Sequence, residues 1–347
     1  MLNNIKKETL KEMNQKFNLD IKDIDIKELN LTNKGLGNEI LEYLNKLEFK
    51  ELKVLNLYHN NISDIKVLEK ARFAKLEILD LSYNEISNID ILEKVNFKEL
   101  KELNLCKNKI SDIKVLEKVK FEKLEILDLN NNQISNIDIL EKVNFKELKE
   151  LGLSNNNISE IKVLEKVKFE KLERLDLAGN DKFDINILEN VNFKYLRVLD
   201  LRSNKISDVK LLEKVKFEKL ERLYLSDNEI SDINILEKVN FKELKRLYLS
   251  VNKISDIDIL EKVNFEKLEL LDLSGNKISN IDVLEKVNFK QLKELNIYCN
   301  KISDIKVLEK VKFEKLEIFT LGGNEISDSD KELIISKLKP KINNFMV

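Results

Sequence analysis

Residues 100–123 read LKELNLCKNKISDIKVLEKVKFEK, and this stretch decides the fold because it recurs along most of the chain. Its central Asn returns twelve times at a period of 24 residues, from Asn60 to Asn324. The Leu-x-Leu part alternates with the two-residue period of a β-strand, so Leu103 and Leu105 are predicted to point inward. A unit this short buries its apolar face only by stacking on its neighbours, which predicts a solenoid.

The second half of each repeat has a different apolar spacing. Apolar residues three apart (Ile110, Ile113 and Leu116) predict a turn followed by a short helical segment. The Ser three residues after each Asn is predicted to cap that segment. The repeated Asn is expected to bond backbone groups of its own coil and of the next coil. A Phe with the same period, from Phe49 to Phe313, is predicted to fill the convex core.

This pattern resembles the leucine-rich repeat superfamily, and the resemblance covers about residues 29–327. The I-x-x-I-x-x-L segment after the Asn is similar to the SDS22 and internalin type, here with 24-residue repeats. The resemblance implies an α/β solenoid: a leucine-rich repeat superhelix with a parallel concave β-sheet and short helical convex segments. It also implies a non-enzymatic scaffold for protein–protein interaction.

The two ends of the chain differ from the repeats and are predicted to be caps. We expect an N-terminal helical cap over residues 1–28, about 13 repeats over 29–327 including an irregular first one, and a C-terminal helical cap over 328–347. The predicted apolar face of the first helix consists of Leu2, Ile5, Leu10, Met13 and Phe17. Ser329 to Glu332 predict a capping box, and Pro340 is expected to end that helix. Because no linker interrupts the array, one domain is expected.

Composition excludes several classes of protein. The chain has 347 residues with 61 basic and 63 acidic side chains, a net charge of -2, whereas a dedicated nucleic-acid binder would show a basic excess. No apolar run approaches the roughly 18 residues of a membrane span, and the start lacks a secretory h-region. Cys106 and Cys299 are too few for a disulfide framework and lie eight coils apart. We therefore expect an intracellular, cytoplasmic protein.

Few residues could support catalysis or metal binding. His59 is the single histidine, and no nucleophile elbow, P-loop, zinc-protease or C-x-x-C motif occurs. Asp176 and Asp200 share an outward strand position on adjacent coils and could hold a hard cation, but Arg174 and Arg202 are near enough to neutralise them. We predict no enzymatic activity, no cofactor and no metal site.

Recognition is expected where the outward strand positions vary, because stacking fixes the framework. Five of the six arginines fall within residues 174–246, and Arg and Tyr are enriched at binding hot spots. The predicted binding residues are Arg174, Asp176, Asp200, Arg202, Arg222, Tyr224, Arg246 and Tyr248. They predict a protein partner with an acidic or mixed-charge surface. Neutral variation on a solvated sheet is the alternative interpretation.

Other features leave further alternatives open. The residue after the first Leu alternates in sign from Lys53 to Glu317, which predicts a ladder of charges across the strands. Such a regular surface is compatible with self-assembly, and a surface adhesin similar to internalins is a third possibility; the oligomeric state stays open. At Asn180 the repeat is broken, since Lys182 and Phe183 replace the usual Ile and Ser. That break either admits a partner's chain or is tolerated drift.

Overall fold

A computed structural model describes residues 2–180, 183–311, 314–338, 342 and 344–346, without the side chains of Leu2 and Asn3. The chain divides into two compact units, Met1–Leu172 and Glu173–Val347. The predictions made for Lys182, Phe313 and Pro340 lie outside the described residues.

Each unit contains short parallel strands that follow one another in chain order. The strands of the first unit are Glu28–Asn30 (β1), Val54–Asn56 (β2), Ile78–Asp80 (β3), Glu102–Asn104 (β4), Ile126–Asp128 (β5) and Glu150–Gly152 (β6). Those of the second unit are Arg174–Asp176 (β7), Val198–Asp200 (β8), Arg222–Tyr224 (β9), Arg246–Tyr248 (β10), Leu270–Asp272 (β11), Glu294–Asn296 (β12), Ile318–Thr320 (β13) and Asn344–Met346 (β14). Equivalent leucines pair in register, for example Leu79 with Leu103, and both are buried. The predicted α/β solenoid is confirmed.

Short 3₁₀ helices return the chain from one strand towards the next. They span Lys66–Lys70, Asp90–Glu93, Lys114–Glu117, Asp138–Glu141 and Lys162–Glu165 in the first unit, and Ile185–Glu189, Lys210–Glu213, Asn234–Glu237, Asp258–Glu261, Asp282–Glu285 and Lys306–Glu309 in the second. The predicted Ser cap is wrong by one residue. It is Asp112, not Ser111, that accepts the N–H of Lys114 at 2.8 Å, because a side-chain acceptor two residues before a free N–H closes a compact turn.

The convex core is a row of phenylalanines, as predicted for its described members. The row from Phe49 to Phe289 is buried throughout, and Phe73 and Phe97 stack with ring centroids 6.3 Å apart. Three apolar residues per coil after the Asn, such as Ile110, contribute the rest of this layer. Each unit therefore has a continuous apolar interior between its strands and its 3₁₀ helices.

The repeated Asn joins each coil to its neighbour. The Nδ2 group of Asn84 donates to the carbonyl oxygens of Leu57, Leu81 and Ser82, at 3.0 to 3.1 Å. Its Oδ1 accepts the N–H of Ile62 at 3.0 Å. Leu57 and Ile62 belong to the preceding coil, so the expectation of bonds to the next coil is wrong. These bonds satisfy backbone groups that the stacking of the coils would otherwise leave unpaired.

The predicted charge ladder is confirmed within each unit. Glu77 pairs with both Lys53 and Lys101, and these lysines, Lys101 first, lower its pKa to about 2. In the second unit, Arg197 lies 2.6 Å from Glu221, which also lies 2.9 Å from Lys245. These ion pairs lie at the surface with partly exposed side chains, and each contributes little by itself. Their sign alternation keeps like charges off neighbouring strands.

At the N-terminal end, α1 (Leu2–Phe17) packs on α2 (Glu39–Leu47). Met13 is fully buried, and the Phe17 and Tyr43 rings meet edge to face with centroids 5.7 Å apart. Ile5 was assigned to the apolar face, but it is 59% exposed. Lys6, the next residue of α1, forms an ion pair with Glu48 at 2.9 Å. This ion pair, and not burial of Ile5, attaches the first part of α1 to the residue after α2.

After β13 come α3 (Asp328–Leu338) and the strand β14. The predicted capping box is two residues too late: the Ser327 hydroxyl accepts the Asp330 N–H at 3.2 Å and donates to its carboxylate. Ile334 is buried, whereas Leu333 and Ile335 are exposed. β14 pairs in parallel with β13 and was not predicted, because its three residues carry no repeat signal.

Candidate functional site

All eight predicted binding residues belong to four consecutive strands of the second unit, β7 to β10, or to the loop after β8. The strand period of two buries Leu223 and Leu247 and directs the residues on either side of each outwards. We call the resulting surface the Arg/Tyr surface, which consists of Arg174, Asp176, Asp200, Arg202, Arg222, Tyr224, Arg246 and Tyr248. Its members have different environments, and these decide which side chains are available to a ligand.

Two tyrosines form the centre of the Arg/Tyr surface. Tyr224 and Tyr248 are paired in register on β9 and β10, and their rings stack with centroids 4.6 Å apart and planes 7° apart. Both side chains are half-buried. Burial, followed by the neighbouring Tyr224, raises the pKa of Tyr248. The pair therefore presents a flat aromatic platform.

Two arginines lie beside this platform without a counter-ion. Arg222 and Arg246 are also paired in register, and the next outward residues along the row are Val198 and Leu270. Among the described residues, no carboxylate lies within 4 Å of either guanidinium, whereas Arg197 has two such partners. Like charges directly opposite each other destabilise a sheet. The pair is therefore a site of uncompensated positive charge.

Arg202 differs from that pair because it has an internal partner. Its Nε lies 2.9 and 3.0 Å from the two carboxylate oxygens of Asp200, and its Nη2 lies 2.6 Å from Oδ2. Asp200 is fully buried, and its hydrogen bond raises the pKa of Arg202. The guanidinium carbon lies 5.1 Å from the Tyr224 ring centroid. Arg202 is thus neutralised by Asp200 and flanks the aromatic platform.

Asp176 and Arg174 lie at the margin of the Arg/Tyr surface. Asp176 is buried, and its Oδ1 accepts the Ala178 N–H at 3.1 Å, while Arg174 is 3.7 Å from Oδ2. Burial, and then the charge of Asp200, raises the pKa of Asp176. Val198 lies between Arg174 and Arg222 along the row. The structure therefore brings Arg202, Arg222, Tyr224, Arg246 and Tyr248 together and leaves Arg174 and Asp176 at the side.

A structural role for the aspartates was missed by the sequence reasoning. In nine coils the third strand residue is Asn or Asp, and its Oδ1 accepts the N–H two residues later; these residues are Asn30, Asn56, Asp80, Asn104, Asp128, Asp176, Asp200, Asp272 and Asn296. We call this bond the strand-end cap. The signal was visible in the sequence, because Asn and Asp favour this local turn. The Asn and Asp side chains at this strand position are thus part of the framework.

One apolar residue near the Arg/Tyr surface was also missed. Val251, three residues after Tyr248, is 56% exposed and has a φ of 54°. A β-branched residue rarely adopts this left-handed conformation, which costs free energy. It is thus an exposed apolar side chain in the turn after β10. The sequence signal is weak, because Asn, Gly, Lys and Tyr occupy the same position in other coils.

The broken coil at Asn180 shows how the core accommodates its change. Phe183 is buried in place of the usual Ser, and Asp184 caps the following 3₁₀ helix by accepting the Asn186 N–H at 3.0 Å.

In the described residues, no three His, Cys, Asp or Glu side chains are grouped as metal ligands. Among the same residues, no helix is long and apolar enough to cross a membrane.

Comparisons with known proteins agree with this architecture. The sequence profile described as Leucine Rich repeats (2 copies) matches residues 50–94, 98–142, 146–190, 196–238 and 242–286, which together make up more than half of the chain. A comparison with curated proteins finds no match.

Several solved structures are similar. An internalin (InlF) from Listeria monocytogenes is 24% identical with a TM-score of 0.74, over 98% of this chain and 94% of that one. A leucine-rich repeat protein of Leptospira interrogans is 23% identical with a TM-score of 0.66, over 98% of both chains. The PEPR1 chain of the PEPR1-AtPEP1 complex is 26% identical with a TM-score of 0.59, over 86% of this chain and 42% of that one. Proteins with this fold generally act as non-enzymatic binding scaffolds. The chain belongs to the leucine-rich repeat family and has the fold of the internalins.

Proposed function

We propose that this protein is a non-enzymatic scaffold that binds another protein on the Arg/Tyr surface, the concave strand face of its second unit. The observation that carries the proposal is the in-register pair Arg222 and Arg246, which lies beside a stacked tyrosine pair and has no counter-ion among the residues that the structure describes. In the row one residue earlier in each coil, by contrast, basic and acidic side chains alternate and pair, as Arg197, Glu221 and Lys245 do. Two uncompensated guanidiniums favour a partner that supplies carboxylates.

The aromatic platform supplies the apolar part of such an interface. Tyrosine and arginine dominate binding hot spots because they combine rigid area with hydrogen-bonding groups. Tyr224 and Tyr248 are already stacked, so little side-chain freedom would be lost on binding. The proposed partner surface therefore has acidic groups next to an apolar contact.

We also propose that this binding takes place in the cytoplasm. Cys106 and Cys299 are both free thiols, and reduced cysteines are typical of intracellular proteins. Fractionation of the source cells with an antibody against the protein tests this location. Recovery in the culture medium or on the cell surface would favour the adhesin alternative.

Affinity capture with purified protein tests the binding proposal. The test variant combines Arg222→Glu, Tyr224→Ala, Arg246→Glu and Tyr248→Ala. The matched control changes outward residues of the first unit, Glu102→Ala and Glu150→Ala. We expect wild type and control to capture the same partner and the test variant to lose it. Far-UV circular dichroism of each variant verifies the fold.

The same experiment separates the alternatives. Partner recovery by the quadruple variant equal to that of wild type would refute the Arg/Tyr surface as the site. If analytical ultracentrifugation shows concentration-dependent oligomers in wild type and in both variants, self-assembly is favoured instead.

A further inference from the structure

The strand-end cap is missing at the two coils that carry the tyrosine platform. Tyr224 and Tyr248 occupy the position that holds the capping Asn or Asp in nine other coils, and a phenol cannot fold back to the N–H two residues later. In the described residues, no acceptor replaces this bond at the N–H of Ser226 or Ser250. Within the described part of the chain, the other coils without their own capping residue are those of Gly152, where Asn130 accepts the Ser154 N–H at 2.6 Å, and of Thr320.

The two serines are adjacent and half-buried. The Ser250 hydroxyl donates to the Ser226 hydroxyl at 2.8 Å, so the Ser226 hydroxyl hydrogen remains available to another acceptor. In two capped coils the equivalent serine hydroxyl is engaged by its own aspartate: Ser82 bonds Asp80, and Ser274 bonds Asp272 at 2.7 Å. Two backbone donors and one hydroxyl donor are therefore left for an external group, since backbone N–H groups seek an acceptor.

These donors lie on the opposite side of the platform from the guanidiniums. Along each strand the order is Arg, Tyr, Ser, with the Arg and Ser four residues apart. At about 3.3 Å per residue, the Cα atoms of the Arg and the Ser are roughly 13 Å apart, with the tyrosine between them. One carboxylate cannot span this distance, so two acceptor groups are needed.

We propose that the Arg/Tyr surface binds an extended acidic segment of a protein partner through two carboxylates, one on the Arg222/Arg246 pair and one on the Ser226/Ser250 donors. The inference rests on the proposed function and specifies its ligand. In an extended chain, residues i, i+2 and i+4 lie on one side, and i and i+4 are about 13 Å apart. The segment therefore has the pattern acidic–x–apolar–x–acidic, with its central residue on the Tyr224/Tyr248 platform. The second carboxylate takes the place of the missing strand-end cap.

Binding of short fluorescent peptides to the full-length protein tests this pattern. The peptides consist of Gly and Ser with a central Leu, and carry two Glu residues separated by two, four or six positions. Versions with either Glu replaced by Gln are included. By fluorescence anisotropy at low salt we expect the tightest binding at the four-residue separation. We expect a Kd about tenfold higher for each Glu→Gln peptide, because each substitution removes one charged acceptor; tenfold in Kd corresponds to ~1.4 kcal/mol.

Two matched double variants isolate the serine donors. Tyr224→Asn with Tyr248→Asn removes the rings and restores the strand-end cap, whereas Tyr224→Leu with Tyr248→Leu removes the rings and leaves the donors open. We expect both to weaken binding, but only the Leu variant to retain the preference for two Glu residues over one. Equal loss of that preference in both variants would show that the serine donors do not bind the second carboxylate.

Amide hydrogen exchange provides a readout that does not depend on variants. In the free protein the Ser226 and Ser250 amides should exchange faster than the capped amide of Ser274, and the best peptide should slow them. Unchanged exchange, or equal affinity for one and two Glu residues at every separation, would overturn the inference and leave the proposed function standing. Absence of peptide binding would also overturn it, whereas partner capture tests the proposed function independently.

Discussion

Arg202 lies over the ring of Tyr224, with its guanidinium carbon 5.1 Å from the ring centroid, while its charge is balanced by the buried Asp200. The other neighbour of Tyr224 is Tyr248, whose ring stacks on it. The ring of Tyr224 is thus positioned by an ion pair on one side and by an aromatic ring on the other. This order in the unbound protein is typical of a preorganised binding site.

Removing the platform should affect binding much more than folding. We expect Tyr224→Ala with Tyr248→Ala to leave the circular dichroism spectrum unchanged and to cost about 0.5–1.5 kcal/mol of stability, the contribution of a stacked aromatic pair. Partner binding should weaken by at least about 2 kcal/mol, as for hot-spot residues. Urea unfolding and titration calorimetry with the captured partner measure the two effects. A loss of stability much larger than the loss of binding would show that the rings belong to the core.

The phenylalanine row should carry much of the stability of each unit. Phe145 is 2% exposed, and Phe145→Ala is expected to lower the free energy of unfolding by about 3–5 kcal/mol, because it leaves a cavity between stacked coils. Tyr195→Ala is the control, since this ring is 47% exposed and should cost much less. Chemical denaturation measures both. A nearly neutral Phe145→Ala would contradict the assignment of this row to the core.

The hydrogen bonds of the repeated Asn predict that Ala substitutions at three consecutive asparagines differ in their effect on the free energy of unfolding. Asn156 donates to the carbonyls of Leu129, Leu153 and Ser154, so Asn156→Ala should cost about 1–3 kcal/mol. Asn157→Ala, at an exposed position, should change stability by less than about 0.5 kcal/mol.

Asn155 does not behave as an ordinary surface residue, although the repeat register alone predicts tolerance there. Its φ of 50° is left-handed, so Asn155→Ala should cost about 1–2 kcal/mol, whereas Asn155→Gly should be tolerated. Thermal unfolding of the variants at 155, 156 and 157 tests both statements. Equal effects of Ala at all three positions would contradict the assigned hydrogen bonds.

Asp176 should make stability depend on pH in an unusual direction for an aspartate. Its pKa is raised above the ordinary 3.8 by burial, so the folded protein holds this proton more tightly than the unfolded chain does. Its contribution to stability therefore falls as pH rises through the interval between the two pKa values, and the penalty is complete once pH exceeds the folded-state pKa.

The variant Asp176→Asn should remove this penalty, because the amide keeps the oxygen that accepts the Ala178 N–H. We expect a higher free energy of unfolding than wild type at pH 7 and a difference that shrinks towards zero below pH 3.8. Urea unfolding over a pH series measures this. A variant less stable than wild type at pH 7 would mean that attraction from Arg174 outweighs burial.

The two thiols should differ in reactivity. Burial raises the pKa of Cys106 to about 11, and its thiolate, the reactive form, is scarce at pH 8. Cys299 is exposed. We therefore expect iodoacetamide to modify Cys299 first and Cys106 only as the pH approaches 11. Intact mass spectrometry at successive times measures the modification. In Cys299→Ser, only the slow reaction should remain; modification of both thiols at one rate in wild type would contradict the burial of Cys106.

The framework could be predicted because each of its requirements recurs with the same period. Leu103, Asn108 and Phe121 each stand for a row of buried residues, and repetition makes such rows visible without any knowledge of contacts. Details that depend on a single hydrogen bond were harder to predict from the sequence. Asp112 and Ser111 are both good cap residues, and the choice between them depends on which one faces the Lys114 N–H.

The candidate site was only partly predictable for a similar reason. Composition pointed to Arg222, Tyr224, Arg246 and Tyr248, but it could not show that Arg202 is neutralised by Asp200 while Arg222 is not. Side-chain direction decides this difference, and a strand pattern specifies the face of the sheet but not the rotamer. The terminal strand around Phe345 has no repeated neighbour in the sequence, so periodicity could not predict it.

The charge ladder described above makes odd and even coils chemically different. Excision of residues 229–252 would bring Glu221 next to Glu269, and two carboxylates would then face each other across neighbouring strands. Excision of residues 229–276 would instead place Glu221 beside Lys293 and keep opposite charges adjacent. An array of this kind therefore avoids like-charge contacts only when it gains or loses two coils at a time. Two consecutive repeats are its natural unit for engineering.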